Sequence, residues 1–331
     1  MNPLLLASLA ILAGFIGLVW SADRFVAGSA AIARHAGLSR LIVGLTIVSL
    51  GTSAPEIVVS ANASLEGAGD IAIGNAIGSN IANVGLVLAV TLLIAAIPVQ
   101  GHLLKQEAPI LLLVSVLAGV FLFDAHLSFV EGVILLASIA PVMGLMIYIK
   151  RKHPSPEEEG VELPADMSNG TAWLWFAIGL GILLVSADIL VWGATSIATE
   201  MGVSQLVIGL TVIAIGTSLP ELAASIASAL KGHHDIALGN IIGSNIFNIL
   251  TVMSLPGIIS PLTMDEAVFS RDYTAMMALT LTLIGAIAFT WMRNRHEHSS
   301  KQPQLGRAIG VVLLLGYIAY YIALIPQATA A

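Results

Sequence analysis

The stretch GLTIVSLGTSAPE (residues 44–56) ends on a glutamate in the middle of an apolar segment long enough to cross a membrane. A carboxylate at that depth is energetically costly, so it indicates a functional site. The next apolar segment opens with DIAIGNAIGSNIAN (70–83). Both stretches recur, as GLTVIAIGTSLPE (209–221) and DIALGNIIGSNIFN (235–248), with a constant spacing of 165 residues (56 to 221, 70 to 235). A repeat kept in register in this way indicates an internal duplication.

The composition is that of a polytopic membrane protein. Of the 331 residues, 57% are hydrophobic and 10% are charged. The absence of cysteine excludes disulfides and thiolate chemistry. A span needs roughly 17–25 apolar residues, and the sequence predicts ten of them, near residues 3–33, 41–65, 70–98, 107–123, 127–149, 172–199, 206–230, 235–260, 271–292 and 306–325.

Five predicted spans precede a polar linker and five follow it. The predicted division is a first repeat at 1–150 with its core at 41–98, a linker at 151–170, and a second repeat at 171–331 with its core at 206–260. Because five is odd, the second half enters the membrane from the opposite side. The predicted fold is therefore an all-α integral membrane protein of ten transmembrane helices in two inverted five-helix repeats.

Lysines and arginines are shared unevenly between the loops on the two sides. If the N-terminus is outside, the outer loops hold only Arg271, and Arg24 lies within or at the inner end of the first span. The inner loops hold Arg34, Arg40, Lys105, Lys150, Arg151, Lys152, Lys231, Arg293, Arg295, Lys301 and Arg307. The positive-inside rule then predicts that both termini are outside, in a multi-pass protein of the inner (plasma) membrane.

Each repeat carries a Gly-Thr-Ser-X-Pro-Glu element inside a predicted span. Proline lacks an N–H and pushes away the carbonyl four residues earlier, so we expect both helices to unwind and free the carbonyls of residues 49–52 and 214–217. Such backbone is tolerated at membrane depth only where it lines a cavity or is buried in protein. Each element then offers carbonyls, two hydroxyls and one carboxylate within about one helical turn.

These groups are hard oxygen ligands of the kind that Ca²⁺ prefers, at roughly 6–8 per ion. If the inversion brings Glu56 and Glu221 together, their two charges balance one Ca²⁺. Two close carboxylates do not readily both stay ionised without a cation, so the same pair would otherwise take Na⁺ or protons. Holding one divalent ion or several monovalent ions, but not both, is a physical basis for exchange.

A polar stripe follows each glutamate element. Asn75, Ser79 and Asn83 are four residues apart, as are their repeats at positions 240, 244 and 248, so each set shares one helix face. The stripes either face the glutamates or only bond helices together. Their recurrence behind two proline-broken glutamate helices favours a site.

Together these regions resemble the alpha repeats of the calcium/cation antiporter superfamily, in particular the small ten-helix sodium/calcium exchangers of bacteria and archaea. The resemblance implies Na⁺/Ca²⁺ antiport by alternating access, with export of Ca²⁺ from the cytoplasm. It implies that Glu56 and Glu221 are the central Ca²⁺ ligands, with the carbonyls of Thr52 and Thr217. It also implies Na⁺ sites and supporting groups, namely Ser53, Ser79, Ser218, Ser244, the carbonyls of Ser49 and Ala214, and Asn83 and Asn248.

One position departs from part of that superfamily. Some relatives, including potassium-dependent exchangers, carry aspartate where this chain has Asn248. An amide removes a possible protonation site and a possible potassium ligand. The sequence thus favours potassium-independent transport.

Other functional classes have less support. The eight histidines fall in or beside predicted loops, and the chain has no serine elbow or phosphate-binding loop, so we expect neither an enzyme nor an ATP-driven pump. Nothing basic enough to bind nucleic acid is present, no obligate protein partner is evident, and the expected partners are the transported ions and the bilayer, with no cofactor. Proton/Ca²⁺ antiport through the same glutamates and a divalent cation channel remain open alternatives.

Two further carboxylates recur at the same spacing, as Asp23 and Asp188, each in a Ser-Ala-Asp sequence. They lie on spans one and six. One interpretation makes them gate residues that line a water path, and the other makes them polar groups near helix ends.

Overall fold

The computed structural model describes residues 3–152, 167–202, 214–296 and 302–328, and nearly all of them are helical. The first half contains α1 (Pro3–His35), α2 (Arg40–Val43), α3 (Ser49–Thr52), α4 (Ala54–Leu65), α5 (Gly69–Ala82), α6 (Ala89–Ile94), α7 (Ala108–Leu122) and α8 (Phe129–Lys152). The second half contains α9 (Asn169–Glu200), α10 (Ala214–Thr217), α11 (Leu219–Leu230), α12 (His234–Phe247), α13 (Ser254–Ile259), α14 (Thr274–His296) and α15 (Arg307–Ala328). Short π-helical segments link several of these helices, at Gly44–Val48, Asn83–Leu88, Leu103–Glu107, Asn248–Val252 and Val268–Tyr273.

The helices are long and apolar enough to make an integral membrane protein. Eight continuous helices of the described residues can cross a bilayer, and a ninth span is the bent pair Arg40–Thr52 and Ala54–Leu65. The predicted seventh span, 206–230, falls partly on residues 203–213, outside the described residues, and its described part is α10 and the apolar helix α11. The count of ten stays a prediction.

Four two-residue strands show that the repeats are inverted. β1 (Ile97–Pro98) pairs with β4 (Gln304–Leu305), and β2 (His126–Leu127) pairs with β3 (Leu262–Thr263). β1 and β3 hold the same place in the two repeats, since 97 and 262 are again 165 apart. The membrane-crossing helix 103–122, about 30 Å long, separates β1 from β2, and β3 lies beside β2. Equivalent strands are therefore on opposite membrane faces.

The two membrane faces can be defined by the linker. We call the face where α8 ends and α9 begins the linker face, and the other the opposite face. The predicted topology makes the linker face cytoplasmic, and this orientation stays a prediction.

The centre of the molecule is formed by α5 and α12. The span that contains α12 is 94% buried and that of α5 is 72% buried, against 22% for the spans of α1 and α9. Gly44 and Gly239 let the π-helical segment Gly44–Val48 pack closely against α12, because a Cβ on Gly44 would lie 3.1 Å from the Gly239 Cα. A second apolar cluster joins α1 and α9 to the core through residues such as Val26, Leu183 and Ala224.

The helix breaks at the prolines are narrower than predicted. Only Ser53 (φ −82°, ψ 7°) and Ser218 (φ −89°, ψ 3°) leave the helical conformation, and the first span bends there by 45°. The expectation that residues 49–52 and 214–217 unwind is wrong, since both stretches are helical. The reason is that Pro55 removes only its own N–H, while the Ser53 N–H still bonds to the Ser49 carbonyl at 3.0 Å.

Candidate cation site

The two glutamates lie in the interior of the molecule, one on each broken span. Glu56 and Glu221 are in the first turns of α4 and α11, directly after the prolines, and each is 1% exposed. Ser53, three residues before Glu56 in the chain, contacts the Glu221 carboxyl. The inversion thus brings the two acidic groups of the repeat into one buried cluster.

Hydrogen bonds across the two halves define this cluster. Ser53 Oγ donates to Glu221 Oε1 at 3.2 Å, and Thr52 Oγ1 donates to Asn240 Oδ1 at 3.1 Å. Ser53 precedes Pro55, whereas Glu221 follows the proline of the other repeat. The site is therefore shared between the halves, because two hydroxyls of the first half bond to a carboxylate and an amide of the second.

An amide on each central helix supports the backbone of the nearby glutamate. Asn75 Nδ2 donates to the Glu56 carbonyl (3.0 Å) and to Ser60 Oγ (2.9 Å). Asn240 Nδ2 makes the equivalent bonds, to the Glu221 carbonyl (3.4 Å) and to the Ser225 hydroxyl (3.0 Å).

The two serines in these bonds are additional site residues that the sequence analysis missed. Ser60 and Ser225 lie four residues after each glutamate and recur at the same spacing of 165. That recurrence is the signal by which they could have been found.

The cluster is rich in buried polar atoms that have no hydrogen-bond partner among the described residues. They are Glu56 Oε2, Glu221 Oε2, Ser218 Oγ, Ser244 Oγ, Asn83 Nδ2 and both side-chain polar atoms of Asn248. Buried polar groups in proteins are normally satisfied, and five of these seven atoms are oxygens, so the cluster fits a site that binds cations. Six of the predicted site residues contribute to it.

The remaining predicted ligands lie on the same elements. Ser79 is buried on α5, and Ser49 is buried on α3. The Ser49 carbonyl already accepts the Ser53 N–H, and its hydroxyl donates to the Leu45 carbonyl at 2.8 Å. Ala214 begins α10, directly after residues outside the described part, and Thr217 ends that helix.

A cavity of about 380 Å³ lies beside the cluster, lined by the prolines that directly precede the two glutamates. Its wall includes Pro55, Val58, Asp188, Thr217 and Pro220. α4 runs from Ser53 towards the opposite face, and α10 runs from that face towards Ser218. The residues of both helices that line the cavity therefore lie on the side of the two serines that is nearer the opposite face. The cavity therefore approaches the glutamates from the opposite face.

The route from the linker face is closed by apolar packing. Ala22 and Val26 of α1 are buried in one cluster with Ala224 of α11, and Ala223 packs against it. These residues are the repeat equivalents of cavity-lining positions, since 22, 26 and 224 correspond to 187, 191 and 59. Equivalent residues of the two repeats therefore line an open cavity on one side and pack against each other on the other side.

An inverted duplication around a buried pair of carboxylates, with a cavity towards one face and packed helices towards the other, is the arrangement of a secondary transporter for cations. Comparisons with known proteins agree. The sequence family described as "Sodium/calcium exchanger protein" matches residues 6–147 and 171–325. The chain belongs to the sodium/calcium exchanger family and is a multi-pass membrane antiporter.

Individual relatives span almost the whole chain. CaxA of Alkalimonas amylolytica is 46% identical over 322 residues, covering 96% of this chain and 98% of the relative. The inner membrane protein YrbG of Escherichia coli strain K12 is 42% identical, covering 96% of each chain. Among solved structures, the sodium-calcium exchanger NCX_Mj soaked with zero Na⁺ and Ca²⁺ has a TM-score of 0.81 at 33% identity, covering 96% of this chain and 98% of the other.

Proposed function

We propose that this protein exchanges Na⁺ for Ca²⁺ across the plasma membrane, and that Na⁺ influx drives Ca²⁺ out of the cytoplasm. The observation that carries the proposal is the buried cluster in which Ser53 contacts Glu221 across the halves while Glu56 Oε2 and Glu221 Oε2 have no partner among the described residues. The relative MaX1 of Methanosarcina acetivorans, 34% identical over 96% of this chain and 97% of its own length, is named a sodium/calcium exchanger.

The two carboxylates are proposed as the shared ligands of both ions. Ca²⁺ takes the two carboxylates together with the carbonyls of Thr52 and Thr217. Na⁺ takes the hydroxyls of Ser53, Ser79, Ser218 and Ser244 with the carbonyls of Ser49 and Ala214, and Asn83 and Asn248 complete the polar surroundings. One divalent ion balances both carboxylates, so its binding excludes the monovalent set.

The different arrangements of this wall in the two halves support alternating access. The cavity at α9 admits ions from the opposite face, while α1 seals the linker face against α11. Movement of α1 and α9 across the remaining eight-helix core would exchange these roles and release the ions on the other side. The inverted repeat supports this step because each half can take the arrangement of the other.

The test is ⁴⁵Ca²⁺ uptake into proteoliposomes that contain the purified protein. Vesicles loaded with Na⁺ should take up Ca²⁺, and the uptake should persist when a protonophore clamps the pH gradient. Glu56→Gln and Glu221→Gln should each abolish uptake while eluting as the same folded species in size-exclusion chromatography. Glu66→Gln is the matched control, since Glu66 is an exposed carboxyl at the end of the same helix as Glu56.

Each competing function has its own result in this assay. Uptake that needs a pH step and ignores Na⁺ would assign proton coupling to the same glutamates. Ca²⁺ flux with no counter-ion would assign a channel. Normal exchange by either glutamine variant would refute the proposed site.

A further inference from the structure

Asp188 brings a negative charge to the wall of the access cavity. Its side chain is exposed there, and it is the only charged residue among the described residues that line the cavity. Thr217, the other polar side chain of that wall, lies one helical turn before Glu221. A cation that moves from the opposite face towards the glutamates therefore passes this carboxylate.

The repeat equivalent of Asp188 has a different environment. Asp23 is paired with Lys231, whose Nζ lies 2.7 Å from Asp23 Oδ1 and donates to the Asp23 carbonyl at 3.0 Å. The position equivalent to Lys231 in the first half is Glu66, at the C-terminal end of α4. The position equivalent to Lys231 therefore supplies no lysine to Asp188, and no ion pair or hydrogen bond joins the Asp188 side chain to another described residue.

We propose that Asp188 is a positioning residue that concentrates cations at the entrance from the opposite face, and that the chain confines this role to that face by neutralising Asp23. This inference rests on the proposed exchange function. A carboxylate on the low-dielectric wall of a cleft raises the local concentration of cations. A carboxylate at membrane depth is also costly, and this one has no partner among the described residues, which argues for a role in function.

The size of the effect follows from Coulomb's law. In water-like surroundings the attraction of one nearby carboxylate changes the local concentration of a divalent ion about fivefold before screening, and screening at physiological salt removes much of this effect. We expect Asp188→Asn to raise the half-saturating Ca²⁺ concentration on the opposite face about two- to fivefold at low ionic strength. Because the energy scales with ionic charge, the fold-change for Na⁺ should be about the square root of that for Ca²⁺.

The experiment measures exchange in proteoliposomes of known orientation while the Ca²⁺ concentration is varied on one face at a time. Asp188→Asn should leave the maximal rate and the half-saturating concentration on the linker face unchanged. The difference in half-saturating Ca²⁺ concentration on the opposite face between Asp188→Asn and the unsubstituted protein should shrink as choline chloride shortens the Debye length. Glu66→Gln is the control: it removes a carboxyl that does not line the cavity, so it should leave the half-saturating Ca²⁺ concentration unchanged.

A second variant separates steering from a merely structural role. Val191 lines the same cavity three residues further along α9, so Asp188→Asn with Val191→Asp restores a carboxylate to the wall at a new position. Recovery of the half-saturating concentration supports steering by charge. Equal half-saturating concentrations for Asp188→Asn and the unsubstituted protein at every ionic strength, or a lower maximal rate alone, would overturn the inference. Failure of the unsubstituted protein to exchange would instead count against the proposed function.

Discussion

Ser53 Oγ lies 3.2 Å from Glu221 Oε1, so the serine of one repeat is hydrogen-bonded to the carboxylate of the other. This contact has no described counterpart for Ser218, whose hydroxyl has no hydrogen-bond partner among the residues that the structure covers. The two halves therefore carry the same groups in two different arrangements. This difference in hydrogen bonding occurs in the same structure in which the cavity opens only towards the opposite face.

Removal of the Ser53 hydroxyl should weaken cation binding and leave the protein folded. Ser53→Ala takes away one bond to a buried carboxylate, and a hydrogen bond to a charged group contributes about 1.5–3 kcal/mol. We expect the half-saturating Na⁺ concentration in exchange assays to rise at least tenfold. Ser64→Ala, at a buried serine that bonds only to the Ser60 carbonyl in the described structure, is the control and should change it little.

The close contact of α12 with the first broken span predicts a steric effect. A Cβ on Gly243 would lie 2.5 Å from Ser49 Oγ and 2.6 Å from the Leu45 carbonyl oxygen. Gly243→Ala should lower the melting temperature in detergent, because overpacking typically costs about 1–3 kcal/mol. Gly144→Ala on α8, where the added Cβ meets nothing within 4 Å, should not lower it. A melting temperature for Gly243→Ala equal to that of the unsubstituted protein would show that the two helices can separate freely.

Breaking the ion pair between Asp23 and Lys231 should change which membrane face has access to the cation site. It joins α1 to the end of α11 at the sealed linker face, and the repeat has no such pair on the other side. Lys231→Glu, which introduces the residue found at the equivalent position, should favour opening to the linker face about two- to fivefold, as expected for a partly exposed ion pair.

Cysteine labelling can measure this shift, because the chain has no cysteine of its own. A Val191→Cys reporter lines the open cavity, so an impermeant maleimide should label it more slowly in the Lys231→Glu background. The charge-swapped variant Asp23→Lys with Lys231→Asp should restore the original rate. Unchanged labelling in Lys231→Glu would mean that the pair has no influence on access.

His233 predicts a pH dependence of stability. It is 5% exposed in the loop before α12, and burial lowers its pKa to about 4, with further lowering by Arg40, Lys231 and His234. The unfolded chain takes up this proton near pH 6.5, so the stabilising contribution is complete above that pH and is lost as the pH falls towards 4. The melting temperature of the unsubstituted protein should fall over this window, and that of His233→Gln should fall less. Identical pH profiles would contradict the prediction.

Much of the architecture follows from local features of the chain. The bend at Ser53 follows from Pro55, the buried charge from Glu56, and the inversion from the odd number of spans predicted on each side of the linker. The extent of the helix break was not predictable in the same way, because Ser49 keeps its hydrogen bond to Ser53 and holds residues 49–52 in a helix.

The sequence by itself determined a duplicated membrane protein with one costly carboxylate in each half, because apolar length, proline and charge act locally and a repeat can be counted along the chain. Only the tertiary structure decided that Ser53 meets Glu221, that the cavity opens at α9 and not at α1, and that Lys231 neutralises Asp23 and not Asp188. Those contacts join residues as far as 208 positions apart, so they depend on how the two halves pack against each other.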